Sequence, residues 1–355
     1  VRTLRKQQVT QSDEGHQEYY FGLLNEDEQR GYREILEGIR NFEEKFYLSL
    51  SGDDEIDRVY HAVLKDHPEV FWVHNREKVY KTTYTGRDYC QFSPGYTYTE
   101  DERQEISQAM ENAYQEVLAQ IPEGADDYTK VMTVYTYIID NTDYVVSDDD
   151  QSIAGTFWKK QAVCAGYAGA VQYLLERLNV PCIYVEGDAA NSDQGHAWNI
   201  VQCNGQYYYV DATWGDPIFL GEDNGYQIPN LIAYDYLCCS EKELEKTHMI
   251  STDYVYPSCQ SENLNYYQLN GMYYDTYEPG MLREVIDRSI ESQEAYTIFK
   301  MSDDAVYQEV VDEMHETLME EGAEYLGELY GLWQVSYSYS EEASLNKFII
   351  YWFYE

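Results

Sequence analysis

The sequence predicts an α+β fold, because a helical pattern and an antiparallel β-hairpin occur in separate stretches of the chain. From Cys164 onward, apolar residues recur at helical spacing until Asn179 and Pro181 end the helix. The dipeptide Asn204-Gly205 lies between two runs rich in β-forming residues, which is typical of a two-residue hairpin turn. The 355 residues exceed one typical domain, so we expect two or three units or one elaborated domain.

The flanking segments predict further helices separated by short strands. In chain order the patterns predict a helix over 25–46, a strand over 47–50, a helix over 53–64, a strand over 70–73, a helix over 100–121 and a first core helix over 127–142. The terminal run 347–354 predicts a strand that is too apolar to stand unpaired. We therefore expect three regions, at 1–122, 123–255 and 256–355.

The C-terminal region shows a similarity to the start of the chain. Arg33–Glu37 resembles Arg283–Asp287, and the pair Asp53-Asp54 recurs as Asp303-Asp304. These matches share one offset of 250 residues. They predict two similar small α/β units on either side of the core. Chance similarity between acidic amphipathic helices is the alternative.

The hairpin turn sets a register for the strands beside it. If Asn204 and Gly205 form the turn, the numbers of every cross-strand pair sum to 409, so Trp198 faces Asp211. His196 lies two residues from Trp198 and therefore on the same face of the sheet. His196 and Asp211 become diagonal neighbours about 7–8 Å apart at the backbone, within side-chain reach. A slip of one residue would separate them onto opposite faces.

We predict that Cys164 is the first residue of a helix and that the first turns of this helix contain small residues. Unpaired backbone N–H groups and the helix dipole at that end favour a thiolate over a thiol. Ala165, Gly166 and Ala168 leave room for a strand to approach. The alternative is a buried, inert cysteine, which is the usual state of a free cysteine. The nearby His196–Asp211 pair favours the reactive interpretation, because thiol, imidazole and carboxylate together form a nucleophilic triad.

Five short motifs follow one another in order through this region. They are Tyr135–Ile138 with Asn141–Tyr144, Ala162–Ala168, Val180–Gly187, Gly195–Val201 and Tyr207–Pro217. With these motifs, the run from about Lys130 to Pro217 resembles the core of the transglutaminase-like superfamily, in its bacterial branch. The resemblance implies a papain-like core in which a cysteine-bearing helix packs on an antiparallel sheet. It also implies Cys164 as nucleophile, His196 as base and Asp211 as the residue that orients the imidazole.

The reaction that these residues predict is thiol-dependent acyl transfer on a protein or peptide substrate. Hydrolysis of a peptide or amide bond is favoured over cross-linking through a glutamine carboxamide, since no acceptor-amine site is evident. The backbone N–H of Cys164 is one candidate donor to the oxyanion, and Trp158, Gln161 or Tyr137 could supply a second. A cell-surface scaffold or binding module that retains the triad is the alternative.

Charge and composition restrict the partners. With 24 basic and 65 acidic residues, the net charge of −41 disfavours nucleic acid and anionic lipid as ligands. The charge favours solubility, and attraction of basic peptides stays open. No transmembrane run or signal peptide is evident, and the chain starts at valine. We expect an extracellular or surface-anchored protein whose export segment is absent from this sequence; its oligomeric state is open.

No metal or cofactor is predicted. The seven cysteines show no metal-ligand spacing and do not indicate disulfides. The acidic loops 148–150 and 187–193 could offer oxygen ligands to calcium, but neither matches an ion-binding pattern, so solvated acids are the favoured interpretation. The histidines at 61, 67, 74, 248 and 315 have no partners at ligand spacing and receive no predicted role.

Overall fold

The computed structural model describes residues 18–84, 87–190, 195–216 and 231–354. Their contacts group into two compact units, Val1–Tyr98 and Thr99–Glu355. Helices and strands are mixed in both units, so the predicted α+β class is confirmed. The predicted three-region organisation stays a prediction. Among the described residues, no helix combines the length and the apolar character needed to cross a bilayer.

The first unit has three helices and a three-stranded antiparallel sheet. Its elements are α1 (Tyr19–Gly22), α2 (Glu26–Arg40), β1 (Phe46–Leu48), α3 (Asp53–Asp66), β2 (Val73–Tyr84) and β3 (Arg87–Tyr96). Asn25 begins α2 with a capping box, because its side chain accepts from the N–H of Glu28 while the Glu28 carboxylate accepts from the Asn25 N–H. The strands are arranged in the order β1-β3-β2.

The strand predicted over 70–73 is wrong except for its last residue. The N–H of Val70 donates to the carbonyl of His67, and the N–H of Val73 donates to that of Val70. These bonds form consecutive turns, and β2 starts only at Val73. An apolar run therefore forms a buried turn here, because periodicity cannot separate a short buried turn from a short strand.

The core of the second unit is a four-stranded antiparallel sheet with helices against it. Its elements are α4 (Glu100–Gln120), α5 (Asp127–Asp140), β4 (Asp143–Tyr144), a π-helical turn (Gly155–Lys159), β5 (Gln161–Ala162), α6 (Cys164–Arg177), β6 (Cys182–Ala189), β7 (His196–Cys203), β8 (Gln206–Val210), α7 (Glu241–Leu244) and β9 (His248–Ile250). The sheet order is β8-β7-β6-β9. Helix α6 packs on β7, where the Asn199 side-chain amide donates to the Ala168 carbonyl at 3.0 Å.

Close packing of α6 depends on a glycine in its first turn. A Cβ atom added to Gly166 would lie 2.7 Å from the Asp150 carbonyl oxygen and 2.7 Å from the Ala162 Cβ. Such distances are well below van der Waals contact, and one of the obstructing atoms belongs to the backbone. The small residues predicted to allow close approach are therefore needed at this point.

A second sheet, covered by helices, completes this unit. Its elements are α8 (Tyr266–Leu269), β10 (Tyr273–Tyr274), α9 (Pro279–Glu291), β11 (Tyr296–Met301), α10 (Asp304–Glu313), a π-helical turn (Met314–Leu318), α11 (Met319–Tyr330), β12 (Ser336–Glu342), a 3₁₀ turn (Ala343–Leu345) and β13 (Lys347–Phe353). The strand order is β10-β11-β13-β12. The apolar strand β13 is paired on both edges, as its composition requires.

The two flanking parts of the chain share one topology. Each has a helix, a strand, further helix and then two strands, with the last strand between the other two in the orders β1-β3-β2 and β11-β13-β12. The predicted offset of 250 needs a correction of one residue. Fully buried positions correspond at 251: Ile35, Ile39, Val59 and Val63 with Ile286, Ile290, Val310 and Met314. Residues of similar type align at an offset of 250, whereas the residues that the helices bury in the core align at an offset of 251.

A buried group of charges connects the second sheet to the segment that follows the core strands. Lys300 on β11 and Lys347 on β13 are direct cross-strand neighbours, and both ammonium groups contact the carboxylate of Asp235. The Tyr267 hydroxyl also donates to Asp235, at 2.9 Å. Burial would raise the pKa of Asp235, but the charges of Lys347 and Lys300 outweigh burial and hold that pKa well below its usual range. Asp235 is therefore the counterion that the two buried cations share.

Replacing Asp235 by Asn should destabilise the protein strongly. The substitution leaves Lys300 and Lys347 adjacent, buried and without their shared counterion, and breaking such a pair costs about 3–5 kcal/mol. Urea unfolding followed by circular dichroism measures the loss. The exposed Asp140, changed to Asn in the same way, should leave the free energy of unfolding nearly unchanged. Equal stability of the two variants would show that the buried charges do not depend on Asp235.

Candidate active site

Cys164 is the first residue of α6 and the most accessible thiol of the chain. It is half-buried, and no disulfide joins any of the seven cysteines. The other six are buried: Cys90, Cys182, Cys203, Cys238, Cys239 and Cys259. Burial raises the pKa of the Cys259 thiol to about 12. The helix start thus presents one partly accessible thiol.

The hairpin has the predicted turn and register. Asn204 and Gly205 both have positive φ, of 52° and 78°, as a type I′ turn requires. The ladder runs from the pair Cys203–Gln206 to the pair Asn199–Val210, and every pair sums to 409. The ladder does not continue to Asp211, because its N–H donates to the Tyr236 carbonyl at 3.0 Å instead. The carboxylate nevertheless stays on the face that carries His196.

The structure brings His196 and Asp211 into direct contact. The distance from His196 Nε2 to Asp211 Oδ2 is 2.6 Å, and both side chains are almost completely buried. The other carboxylate oxygen, Oδ1, accepts from the backbone N–H groups of Thr213 at 2.9 Å and Trp214 at 3.2 Å. The Cys164 thiol also interacts with the His196 imidazole and helps to raise its pKa. Because Nε2 is engaged by Asp211, Nδ1 is the ring nitrogen that remains for the thiol.

These contacts control the charge of the imidazole. Burial alone would lower the pKa of His196, but the charge and hydrogen bond of Asp211, with a smaller contribution from Cys164, raise it to about 10. Burial would likewise raise the pKa of Asp211, and the two histidines that contact it hold it far below its usual range. At neutral pH the site therefore contains a carboxylate bonded to an imidazolium.

Aromatic rings enclose the imidazole. Trp198 stacks on His196 with ring centroids 5.6 Å apart, and Trp214 meets it edge-on at 6.5 Å. Trp198 is 1% exposed. Rings of this kind exclude water and so strengthen the interaction between imidazole and carboxylate.

His248 is a site residue that the sequence did not reveal. It begins β9, which pairs with β6 so that His248 lies opposite Ala189. Its Nε2 lies 3.0 Å from Asp211 Oδ2, the oxygen that also contacts His196. The sequence shows no partner for His248 at ligand spacing, whereas the structure places it against Asp211. No local pattern marks it, because its contact depends on a three-residue strand far from the other motifs.

Three potential metal ligands meet at this point. Among the described residues, His196, Asp211 and His248 form the group of three whose ligand atoms lie within 4.8 Å of one another. In a tetrahedral zinc site with bonds of about 2.0 Å, neighbouring ligand atoms lie about 3.3 Å apart. The nitrogen–oxygen separations of 2.6 and 3.0 Å are shorter and are those of hydrogen bonds. The arrangement fits protons better than a metal ion.

The first acidic loop, residues 148–150, supports the start of α6. The Asp150 carboxylate accepts from the Ser147 N–H at 2.9 Å, and the Asp150 carbonyl accepts from the Val163 N–H at 3.0 Å, just before Cys164. Asp150 is buried and closes a turn that supports the start of α6. Residues 191–194 of the second acidic loop lie outside the described residues.

The candidate oxyanion donors differ in their contacts. Trp158 is half-buried in the π-helical turn, and the Lys159 ammonium lies 3.3 Å from its ring centroid. Gln161 is half-buried in β5, three residues before Cys164. The hydroxyl of Tyr137 donates to the Glu116 carboxylate at 2.7 Å. That bond occupies the only donor of Tyr137, which counts against Tyr137 as an oxyanion donor.

Comparison with known proteins agrees with this geometry. Residues 115–212 match the family described as the transglutaminase-like superfamily. The kyphoscoliosis peptidases of Mus musculus and Homo sapiens are 26% and 25% identical over 111 residues. Each of these matches covers 27% of this chain and 17% of the relative, so the chain spans under a fifth of their length. A crystal structure of a TGase shares 12% identity and covers 52% of each chain, with a TM-score of 0.29.

The matched family segment contains the motifs around Cys164 and His196 and ends just past Asp211. It also contains the helix, the hairpin and the β6 strand that position these three side chains. This segment of the chain, residues 115–212, is therefore similar to the core of the transglutaminase-like superfamily.

Proposed function

We propose that this protein is a thiol-dependent acyl-transfer enzyme that uses Cys164, His196 and Asp211. The observation that carries the proposal is the buried 2.6 Å contact between His196 and Asp211, with the half-buried Cys164 thiol against the same imidazole. This is the arrangement in which an imidazole exchanges a proton with a nucleophile while a carboxylate holds its orientation.

The chemistry proceeds in two steps. The Cys164 thiolate, whose proton is held on Nδ1 of the His196 imidazolium, attacks an amide carbonyl carbon; a sulfur–carbon bond forms and the carbonyl π electrons move to the oxygen. The carbon–nitrogen bond then breaks, and the imidazolium of His196 delivers its Nδ1 proton to the leaving amine. A water molecule, deprotonated by His196, next attacks the thioester and releases the acid and the thiol. Asp211 keeps Nε2 bonded throughout, so that Nδ1 faces the reacting atoms.

Hydrolysis is the preferred outcome over cross-linking. The mouse and human relatives are both named peptidases, which supports water as the acceptor. The proposal takes protein or peptide as the substrate and, as the resemblance to the bacterial branch implies, an extracellular or cell-surface location. The net charge of −41 favours a basic segment of substrate over a nucleic acid.

Cys164 should be the first cysteine to react with iodoacetamide. It is half-buried beside an imidazolium, whereas the other six cysteines are buried. Peptide mapping by mass spectrometry after brief labelling measures the order. His196→Ala should slow the labelling of Cys164 at least about tenfold, because it removes the imidazolium whose charge favours the reactive thiolate. His315→Ala, an exposed histidine outside the site, is the matched control. Labelling of Cys164 no faster than that of Cys259 would favour the scaffold alternative.

The pH dependence of that labelling should report His196. Since Asp211 raises the pKa of His196 to about 10, the imidazolium persists from neutral pH until about pH 10, and its loss should change the labelling rate near that pH. Asp211→Asn removes the charge but leaves the burial, which favours the neutral ring. The transition should then fall by more than about one pH unit, a change worth about 1.4 kcal/mol. A transition that stays in place in Asp211→Asn would mean that the carboxylate does not control the imidazole.

A further inference from the structure

His248 contacts the proposed catalytic carboxylate at the same oxygen as His196. Its side chain has no exposed surface, and its Nε2 lies 3.0 Å from Asp211 Oδ2. Oδ2 thus faces two imidazoles, at 2.6 Å from His196 and 3.0 Å from His248. The described reaction uses only one of them.

The partners of the second imidazole define its hydrogen bonds. An ionised carboxylate only accepts, so the proton between His248 and Asp211 belongs to Nε2. The other nitrogen, Nδ1, lies 2.8 Å from the Thr247 hydroxyl oxygen, which lies 2.5 Å from the Tyr236 hydroxyl. With Tyr236 donating to Thr247 and Thr247 donating to Nδ1, every hydroxyl proton has an acceptor. This series of hydrogen bonds fixes His248 in the tautomer that carries its proton on Nε2.

This series of hydrogen bonds leads back to Asp211, the residue that it supports. The carbonyl of Tyr236 accepts the backbone N–H of Asp211 at 3.0 Å, so one residue fixes Asp211 through its backbone and, through Thr247 and His248, its carboxylate. The surroundings of His248 are otherwise aromatic. The rings of Trp214 and Tyr236 each lie 4.9 Å from it, and Trp198 lies at 5.2 Å. His248 is therefore packed among three aromatic rings.

We propose that His248 is a positioning residue that shares the negative charge of Asp211 with His196. Its N–H satisfies one lone pair of Oδ2 and reduces the basicity of the carboxylate toward His196. Asp211 then orients the imidazolium of His196 without retaining its proton too strongly for transfer. The catalytic meaning of this role rests on the proposed acyl transfer, but the hydrogen bond and its electrostatic effect do not.

The test follows the protonation of His196 by ¹⁵N NMR of histidine-labelled protein. His248→Leu removes the donor, whereas His248→Gln keeps an N–H near the position of Nε2. Thr247→Val removes the hydroxyl that holds Nδ1 and is close to isosteric. Titration uses rapid transfer to alkaline buffer, so that each sample meets high pH only briefly. His315→Leu serves as the matched histidine control, because His315 is exposed and pairs with Glu341.

Charge sharing predicts a raised pKa of His196 in His248→Leu, by about 0.5–1 pH unit, the size of one hydrogen bond to the carboxylate. Thr247→Val should give a smaller rise, and His248→Gln should return the value close to that of the native protein. In the native spectrum, Nε2 of His248 should be protonated and Nδ1 bare. Near-ultraviolet circular dichroism confirms folding; if His248→Leu fails to fold, Thr247→Val carries the test.

The opposite results are equally distinct. An unchanged or lowered pKa of His196 in folded His248→Leu or Thr247→Val would show that His248 only fills space, and the proposal would be overturned. The NMR readout needs no turnover, so it separates this proposal from the proposed function. A shifted His196 pKa in a protein whose Cys164 is unreactive would sustain charge sharing and remove acyl transfer. A reactive Cys164 with an unchanged His196 pKa in the variants would support acyl transfer and contradict charge sharing.

Discussion

The buried carboxylate of Asp211 is the interaction on which the site depends. It is 1% exposed, and an isolated carboxylate at that depth would take up a proton instead of staying charged. Four donors prevent this: two backbone N–H groups on Oδ1 and two imidazoles on Oδ2. The charge that they preserve raises the pKa of His196, and His196 in turn contacts the Cys164 thiol. The donors reach one carboxylate from the end of a hairpin, a turn and a separate strand.

The second sheet supports this arrangement at a distance. Asp235, which neutralises Lys300 and Lys347, directly precedes Tyr236, whose carbonyl accepts the Asp211 N–H. Glu243, which also contacts Lys300 at 3.1 Å, lies on the short helix that leads to His248. The buried charges therefore anchor both segments that approach Asp211 from outside the hairpin. The C-terminal sheet is part of what holds the site, although the hydrogen-bond partners of Asp211 lie on other elements.

Local rules explain why part of this was predictable. The Asn204-Gly205 turn has one favoured geometry, and a period of two then determines which side chains share a face, so the His196–Asp211 contact followed from the sequence. The helix beginning at Cys164 was equally clear. His248 was missed because its contact depends on tertiary pairing of a short strand. The offset predicted for the flanking repeat differs by one residue from the offset of the buried positions. Similar acidic residues recur beside the positions that are buried, and the sequence pattern follows those acidic residues.

The most direct test of the account is whether Asp211 makes Cys164 competent for acyl transfer. The protein is mixed with an acetylglycine p-nitrophenyl ester, and p-nitrophenol release is followed together with the intact mass and the modified peptide. The account predicts a rapid release of one equivalent of p-nitrophenol per protein, with the acetylglycyl group on Cys164, and a much slower release in Asp211→Asn. An acyl group distributed over other cysteines, or equal rates in both proteins, would contradict it.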